Sequence, residues 1–366
     1  KLLGTMQAWN GTAIVVLPEG TASFRGAFQN MTAVVSGVFV LPVNWSELVS
    51  QAHSAGVTAR AKLAKVAVAP ASVLAGGGGF ASQGLTPIVT GTKRIAVLSH
   101  AGGAGVSTIA ENLAYELAVR LSIRTLLFSL GLPPAVVSHL RMRYAPSLTE
   151  FFERPGKAVI QAATQKLEGL DILIAPGNSI EYLRGQATED MQAPNSIYSA
   201  LLSAEDGTYA AMVMDLPGAE TTWMLHPLYF ANIALVVARP TTADLFATRH
   251  TLTTLNALGN RIGRESIHLV LNQVSDASAM TPRTFLEELA SDLGWAPPIA
   301  AVIEQDAEVQ RAQDQRLPAV TRSEKLAKGV RQIIAALFPG MERSLANLPE
   351  NGSSKSFLRL PKFSLG

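Results

Sequence analysis

From about residue 93 onward the chain alternates short, nearly continuous apolar runs with stretches of helical periodicity. The runs are Ile95 to Leu98, Thr125 to Leu130, Leu170 to Ala175, Ala210 to Leu216, Ile233 to Ala238 and His268 to Asn272. Strands without polar alternation are buried on both faces, so the pattern predicts an α/β fold: a parallel sheet with helices on both faces. Between the first two runs, Ile109, Leu113 and Leu117 share one face of a helix predicted from about Ser107 to Val119. Pro176, Pro217 and Pro240 each sit just past a strand end, which opens those ends into loops at the carboxyl edge, where such sheets bind ligands.

The first 56 residues carry a separate, smaller pattern. Thr12 to Leu17 ends at the turn Pro18-Glu19-Gly20 and leads into a helix-compatible stretch to about Asn30. Ala33 to Leu41 meets Pro42, and Asn44 can cap a helix with Trp45, Leu48 and Val49 on one side. The arrangement predicts a small N-terminal α/β domain. It resembles the last strand and helix of a response-regulator receiver domain, with Leu41 where such domains carry Lys and with no acidic phosphoacceptor cluster. That resemblance implies a truncated, non-phosphorylated receiver-like unit, and an unrelated small α/β piece stays open. Residues 57–92 are rich in Ala, Gly and Pro, with Gly76-Gly77-Gly78-Gly79 at the centre, and read as a flexible linker.

Composition narrows the function classes. With 48% hydrophobic and 16% charged residues among 366, the chain can bury a large core. Thirty Lys+Arg against 28 Asp+Glu leave a net charge of +2, too little to argue for nucleic acid, which is not expected as a partner. There is no Cys, so disulfides and Cys-ligated metals are excluded, and the six His are scattered with no ligand spacing. No apolar run reaches the about 18 residues of a spanning helix, so a cytoplasmic protein is expected. Residues 341–366 read as a disordered C-terminal tail, in which Lys355, Phe357, Leu358, Arg359, Leu360, Lys362 and Phe363 interleave bases with apolar groups. Such a segment suits peripheral contact with an anionic membrane, although Pro361 breaks a helix there.

The chemistry concentrates between the first strand and helix of the main domain. There the chain reads Ser99-His100-Ala101-Gly102-Gly103-Ala104-Gly105-Val106-Ser107-Thr108. Three glycines let the backbone curl so that successive N–H groups face one point, and the following helix adds its positive dipole end; together they make an anion cradle. Ser107 is placed to reach a Mg²⁺ ion bridging outer phosphates.

This turn resembles the deviant Walker A loop of the ParA/MinD ATPases, KGGxGK[T/S], and the likeness continues in order through residues 93–340. Asp215-Leu216-Pro217-Gly218 is similar to their Walker B and switch II region. Leu269-Val270-Leu271-Asn272 resembles the strand whose terminal Asn reads adenine, and Ile303-Glu304-Gln305-Asp306 the base-proximal stretch, with Glu304 in place of its Pro. The resemblance implies ATP or ADP with Mg²⁺, held by Gly102, Gly103, Ala104, Gly105, Val106, Ser107, Thr108, Asn272, Ile303 and Asp306, the metal by Ser107 and Asp215.

The departures are as specific as the matches. The signature Lys of that family falls on Ala101, its P-loop Lys on Val106, and two Asp near Mg²⁺ and the attacking water on Ser129 and Gly131. Phosphoryl transfer depends on positioning and charge neutralisation, so no residue is assigned a catalytic role and little or no hydrolysis is expected. Receiver-like piece, linker and degenerate loop are together similar to the CpaE/TadZ proteins of Tad pilus assembly. That likeness implies a homodimer, recruitment to a cell pole or inner-membrane face, and pilus-assembly or polar-localisation partners. Two other readings stay open: an active partitioning or cell-division ATPase that borrows Lys93 or Arg239, and an interaction module that binds no nucleotide.

Overall fold

The computed structural model describes residues 13–17, 35–40, 91–186, 190–205, 207–258 and 261–348. The chain divides into two units, Lys1–Gly84 and Leu85–Gly366. In the first, β1 (Ala13–Leu17) pairs in parallel with β2 (Val35–Val40), as the two apolar runs predict. The expected helices of that unit, most of the linker and residues 349–366 of the tail lie outside the described residues.

The second unit is an eight-stranded sheet. Its strands are β3 (Lys93–Leu98), β4 (Thr125–Ser129), β5 (Gln165–Leu167), β6 (Leu170–Ile174), β7 (Ala211–Asp215), β8 (Ile233–Ala238), β9 (Ile267–Val274) and β10 (Ile299–Glu304). They lie in the order β10-β9-β8-β3-β7-β4-β6-β5, parallel except for β5, which runs antiparallel to β6 at the edge. β3 is central, hydrogen-bonded to β7 on one side and β8 on the other.

Alternate residues of each strand feed two cores. Ile95 and Val97 face one, with Leu127, Val213 and Leu235. It is closed by α1 (Val106–Tyr115), α10 (Ala307–Asp314) and α11 (Glu324–Leu337), through residues such as Leu113, Ala312 and Ile334. Ala96 and Leu98 face the other, with Phe128, Met214 and Val236. It is closed by α3 (Thr149–Glu153), α4 (Lys157–Ala163), α5 (Ser179–Gln186), α6 (Ile197–Ala204), α7 (Thr222–Phe230), α8 (Thr242–Ala257) and α9 (Pro282–Leu293), around the fully buried Trp223 and Phe285. A short α2 (Ala135–His139) follows β4.

Three features depart from the sequence expectation. β5 (Gln165–Leu167) carries no apolar run, and β10, whose apolar stretch Ile299 to Ile303 is not among the runs above, pairs in parallel with β9. The helix predicted to Val119 keeps α-helical pairing only to Tyr115 and widens into a π-helical turn over Glu116–Arg120. The tail does not begin at 341: Met341 is buried in the core, and α12 (Glu342–Ala346) follows it.

Candidate functional site: a glycine turn at the carboxyl edge

The carboxyl ends of β3, β7, β4, β8 and β9 bring the loop 99–105, Asp215, Ser129, Arg239 and Asn272 to one edge of the sheet. Gly103 and Gly105 have φ of 77° and 97°, and Gly105 is the N-cap residue of α1. A side chain at Gly105 would overlap Nδ2 of Asn272, so both backbone angle and packing demand glycine there. The loop carbonyls are braced from outside: Asn272 Nδ2 donates to Ala104 O at 2.8 Å and Gln273 Nε2 to Gly103 O at 3.0 Å. Arg239 Nη2 donates to Gly102 O at 3.1 Å, while its guanidinium pairs with buried Asp244 at 2.9 Å. Among the described residues, no protein group accepts from the backbone N–H groups of Gly102 to Thr108. Carbonyls held and amides free is the polarity of an anion cradle at a helix N-terminus.

Beneath the turn lies a buried polar pocket. Asp215 is 1% exposed and accepts from Ser107 Oγ at 3.0 Å and Ser129 Oγ at 3.4 Å. Burial, and next the buried Glu111 carboxylate, push its pKa up to about 7, against the two hydroxyls, which pull it down. Glu111 is itself raised by burial, opposed by His139, whose Nδ1 lies 2.9 Å away. Burial lowers His139, but the Glu111 carboxylate outweighs it and the net shift is upward.

No family model and no curated protein matches the chain. Solved structures do. The septum site-determining protein MinD from Pyrococcus horikoshii, complexed with Mg-ADP, superposes with a TM-score of 0.55 at 17% identity, over 69% of this chain and 98% of that one. A ParA family ATPase from Chlorobium tepidum gives 0.53 at 18%, over 66% and 98%. The ATP complex of a Cyanothece McdA variant gives 0.52 at 18%, over 67% and 96%. The fold is that of the ParA/MinD ATPases.

On this ParA/MinD fold the four departed positions surround the cradle without charge. Ala101 and Val106 pack against the apolar core, and Ser129 is fully buried with its hydroxyl on Asp215. Of the two cations proposed as substitutes, Lys93 is excluded by position. It opens β3, roughly 17 Å of extended strand from the loop, and its ammonium lies over the Phe338 ring. Arg239 does reach the loop, with its charge already matched by Asp244.

The base-proximal residues are engaged in structure. Asn272, expected to read adenine, spends its amide on the loop. Ile303 is 2% exposed, and its side chain fills the space that a Cβ on Gly329 would take; that places it in the core, not at a ligand. Asp306 caps α10 through Glu308 N at 3.0 Å and accepts from Ser323 Oγ at 2.6 Å. The Ser323 hydrogen bond, outweighing burial, lowers its pKa. Thr108, by contrast, stays on the turn, where Gln313 Nε2 donates to its hydroxyl at 2.9 Å.

One cluster was invisible in the sequence. Two of the six histidines come together: His100, Glu220 and His250 place ligand atoms within 4.8 Å of one another beside the turn. Their separations of 120 and 30 residues follow no metal-binding spacing, so only the fold reveals them.

Proposed function

We propose that this chain binds Mg-nucleotide in the glycine turn, hydrolyses it little or not at all, and acts as a dimeric positioning scaffold of the CpaE/TadZ kind. The observation that carries this reading is the loop itself: its glycines, free amides and braces are intact, while the four positions that would accelerate hydrolysis are Ala101, Val106, Ser129 and Gly131. The N–H groups of Gly102 to Thr108 would hold phosphate oxygens, and Ser107 and Asp215 would hold Mg²⁺, which would supply charge neutralisation to the phosphates. Burial raises the Asp215 pKa to about 7, and a cation beside it would favour its ionised form. Nothing at 129 or 131 can orient a water for attack, and nothing at 101 or 106 offsets the developing charge, so binding is not converted into turnover.

Mg-ADP in the Pyrococcus MinD structure and ATP in the Cyanothece McdA complex support nucleotide as the ligand. The order of a small α/β unit, a linker and a degenerate loop supports the CpaE/TadZ reading. Because Ala101 cannot reach across a dimer, pairing would depend on side-chain packing and persist with ADP or without nucleotide.

Calorimetric titration with Mg-ATP, with phosphate release read in parallel, is expected to give saturable heat and release at background. Turnover at the rate of ordinary P-loop NTPases would favour a working ATPase; absence of heat would leave an interaction module. The positioning role is expected to show as discrete polar or envelope foci of a fluorescent fusion, and uniform fluorescence would contradict it.

A further inference from the structure

We propose that His100, Glu220 and His250 form a binding site for a divalent transition metal of the Zn²⁺ class, fastening the glycine turn and the loop 216–221 to α8. The three come from different elements: His100 from the turn itself, Glu220 from the loop after β7, and His250 from the middle of α8. His250 Nε2 lies 3.1 Å from Glu220 Oε1, and His100 Nε2 lies 3.5 Å from the same oxygen. Ligand atoms at about 2.0–2.1 Å from a tetrahedral Zn²⁺ stand about 3.3 Å apart, so two edges of the site are already formed.

The protonation pattern is that of a ligand set. Thr251 Oγ1 donates its single proton to Ala247 O at 2.9 Å, so at 2.8 Å from His100 Nδ1 it can only accept. Nδ1 therefore carries the proton, and the lone pair sits on Nε2. That nitrogen belongs to a side chain only 10% exposed, makes no hydrogen bond, and points toward Glu220 and His250. A lone pair set 3.5 Å from the Glu220 carboxylate oxygen is unfavourable unless a cation stands between them.

An outer shell is also present. Thr254 Oγ1 donates to Glu220 Oε1 at 2.7 Å, as Thr251 orients His100. Ala247, His250, Thr251 and Thr254 stand at i, i+3, i+4 and i+7, one stripe of α8, so a single helix face supplies one ligand and orients the other two. Two imidazoles and a carboxylate select Zn²⁺ or a similar ion over Mg²⁺, which requires oxygen ligands. Three protein ligands leave a fourth position open, facing solvent through the exposed His250 and Glu220. The site needs no nucleotide, so its success or failure is independent of the reading of the glycine turn.

The test is titration of chelator-treated protein, without nucleotide, with Zn²⁺ against a chromophoric competitor, repeated with Co²⁺ to read the visible bands of a low-symmetry site. One ion per chain is expected, with Co²⁺ absorption and no competition from Mg²⁺. Thr251→Val should weaken Zn²⁺ roughly 10- to 100-fold by releasing His100. His250→Ala and Glu220→Gln should weaken it further; both positions are exposed, so these variants fold. Absence of saturable Zn²⁺ binding below millimolar concentration would overturn the proposal. So would one-equivalent binding left unchanged by His250→Ala and Glu220→Gln.

Discussion

The two sides of the glycine turn differ in what holds them. On the outer side, Asn272, Gln273 and Arg239 seize successive carbonyls, and the close approach of Asn272 leaves room for no side chain at Gly105. On the inner side, Asp215, Ser107, Ser129, Glu111 and His139 are linked by hydrogen bonds and charge, with Asp215, Ser129 and Glu111 buried. The outer brace is geometric and insensitive to pH. The inner pocket is electrostatic: burial raises Asp215 to about 7 and Glu111 in the same direction.

The largest expected effect breaks the outer side. Gly105→Ala places a Cβ at φ 97° and against the Asn272 amide. It should lower stability by about 2 kcal/mol in denaturant unfolding and abolish nucleotide binding. A variant that unfolds with wild type and binds equally would show that the brace does not set the loop.

The next effect sharpens the inner side. The folded protein keeps a proton on Asp215 up to about pH 7, whereas an unfolded Asp releases it near pH 4. The folded state thus binds more protons across that window, and stability falls as pH rises, by at most about 1.4 kcal/mol per unit from this group. Glu111, also raised, acts in the same direction; His139, raised as well, adds stability below its unfolded value of about 6.5 that is lost as pH rises past its folded one. Asp215→Asn should flatten the decline of unfolding free energy between pH 5 and pH 7 conditions, by on the order of 1 kcal/mol per unit in denaturant unfolding. An unchanged slope would mean that Asp215 is ionised throughout.

The smallest effect separates the two sides. Asn272→Ala removes one hydrogen bond to Ala104 O and should cost about 1 kcal/mol. Faster amide exchange at Gly103 to Gly105, with the pH slope of stability unaltered, is expected; a changed slope would couple brace and pocket.

Much of this was legible in the chain because it is local. Continuous apolar runs such as Ile233 to Ala238 became buried strands, and the glycine spacing with Ser107 marked the cradle. What stayed hidden depends on distant partners. β5 is a strand because β6 offers it an antiparallel register, and Glu111 reads as a helix-surface acid until His139 is seen against it. Asn272, Ile303 and Asp306 matched a family pattern, yet sequence cannot tell a side chain that meets a ligand from one that holds the loop, the core or a helix cap. His100, Glu220 and His250 lie far apart in sequence, and no spacing rule joins them.

The account rests on a cradle that binds without turning over, and Val106→Lys addresses it most directly. An ammonium added to a turn that already supplies backbone donors should tighten Mg-ATP binding in calorimetry, roughly tenfold for about 1.4 kcal/mol of charge-assisted contact. Phosphate release should stay at background, because Ala101, Ser129 and Gly131 still supply neither an oriented water nor an offset for the developing charge. Turnover at the rate of ordinary P-loop NTPases in that single variant, or no binding in either protein, would contradict it.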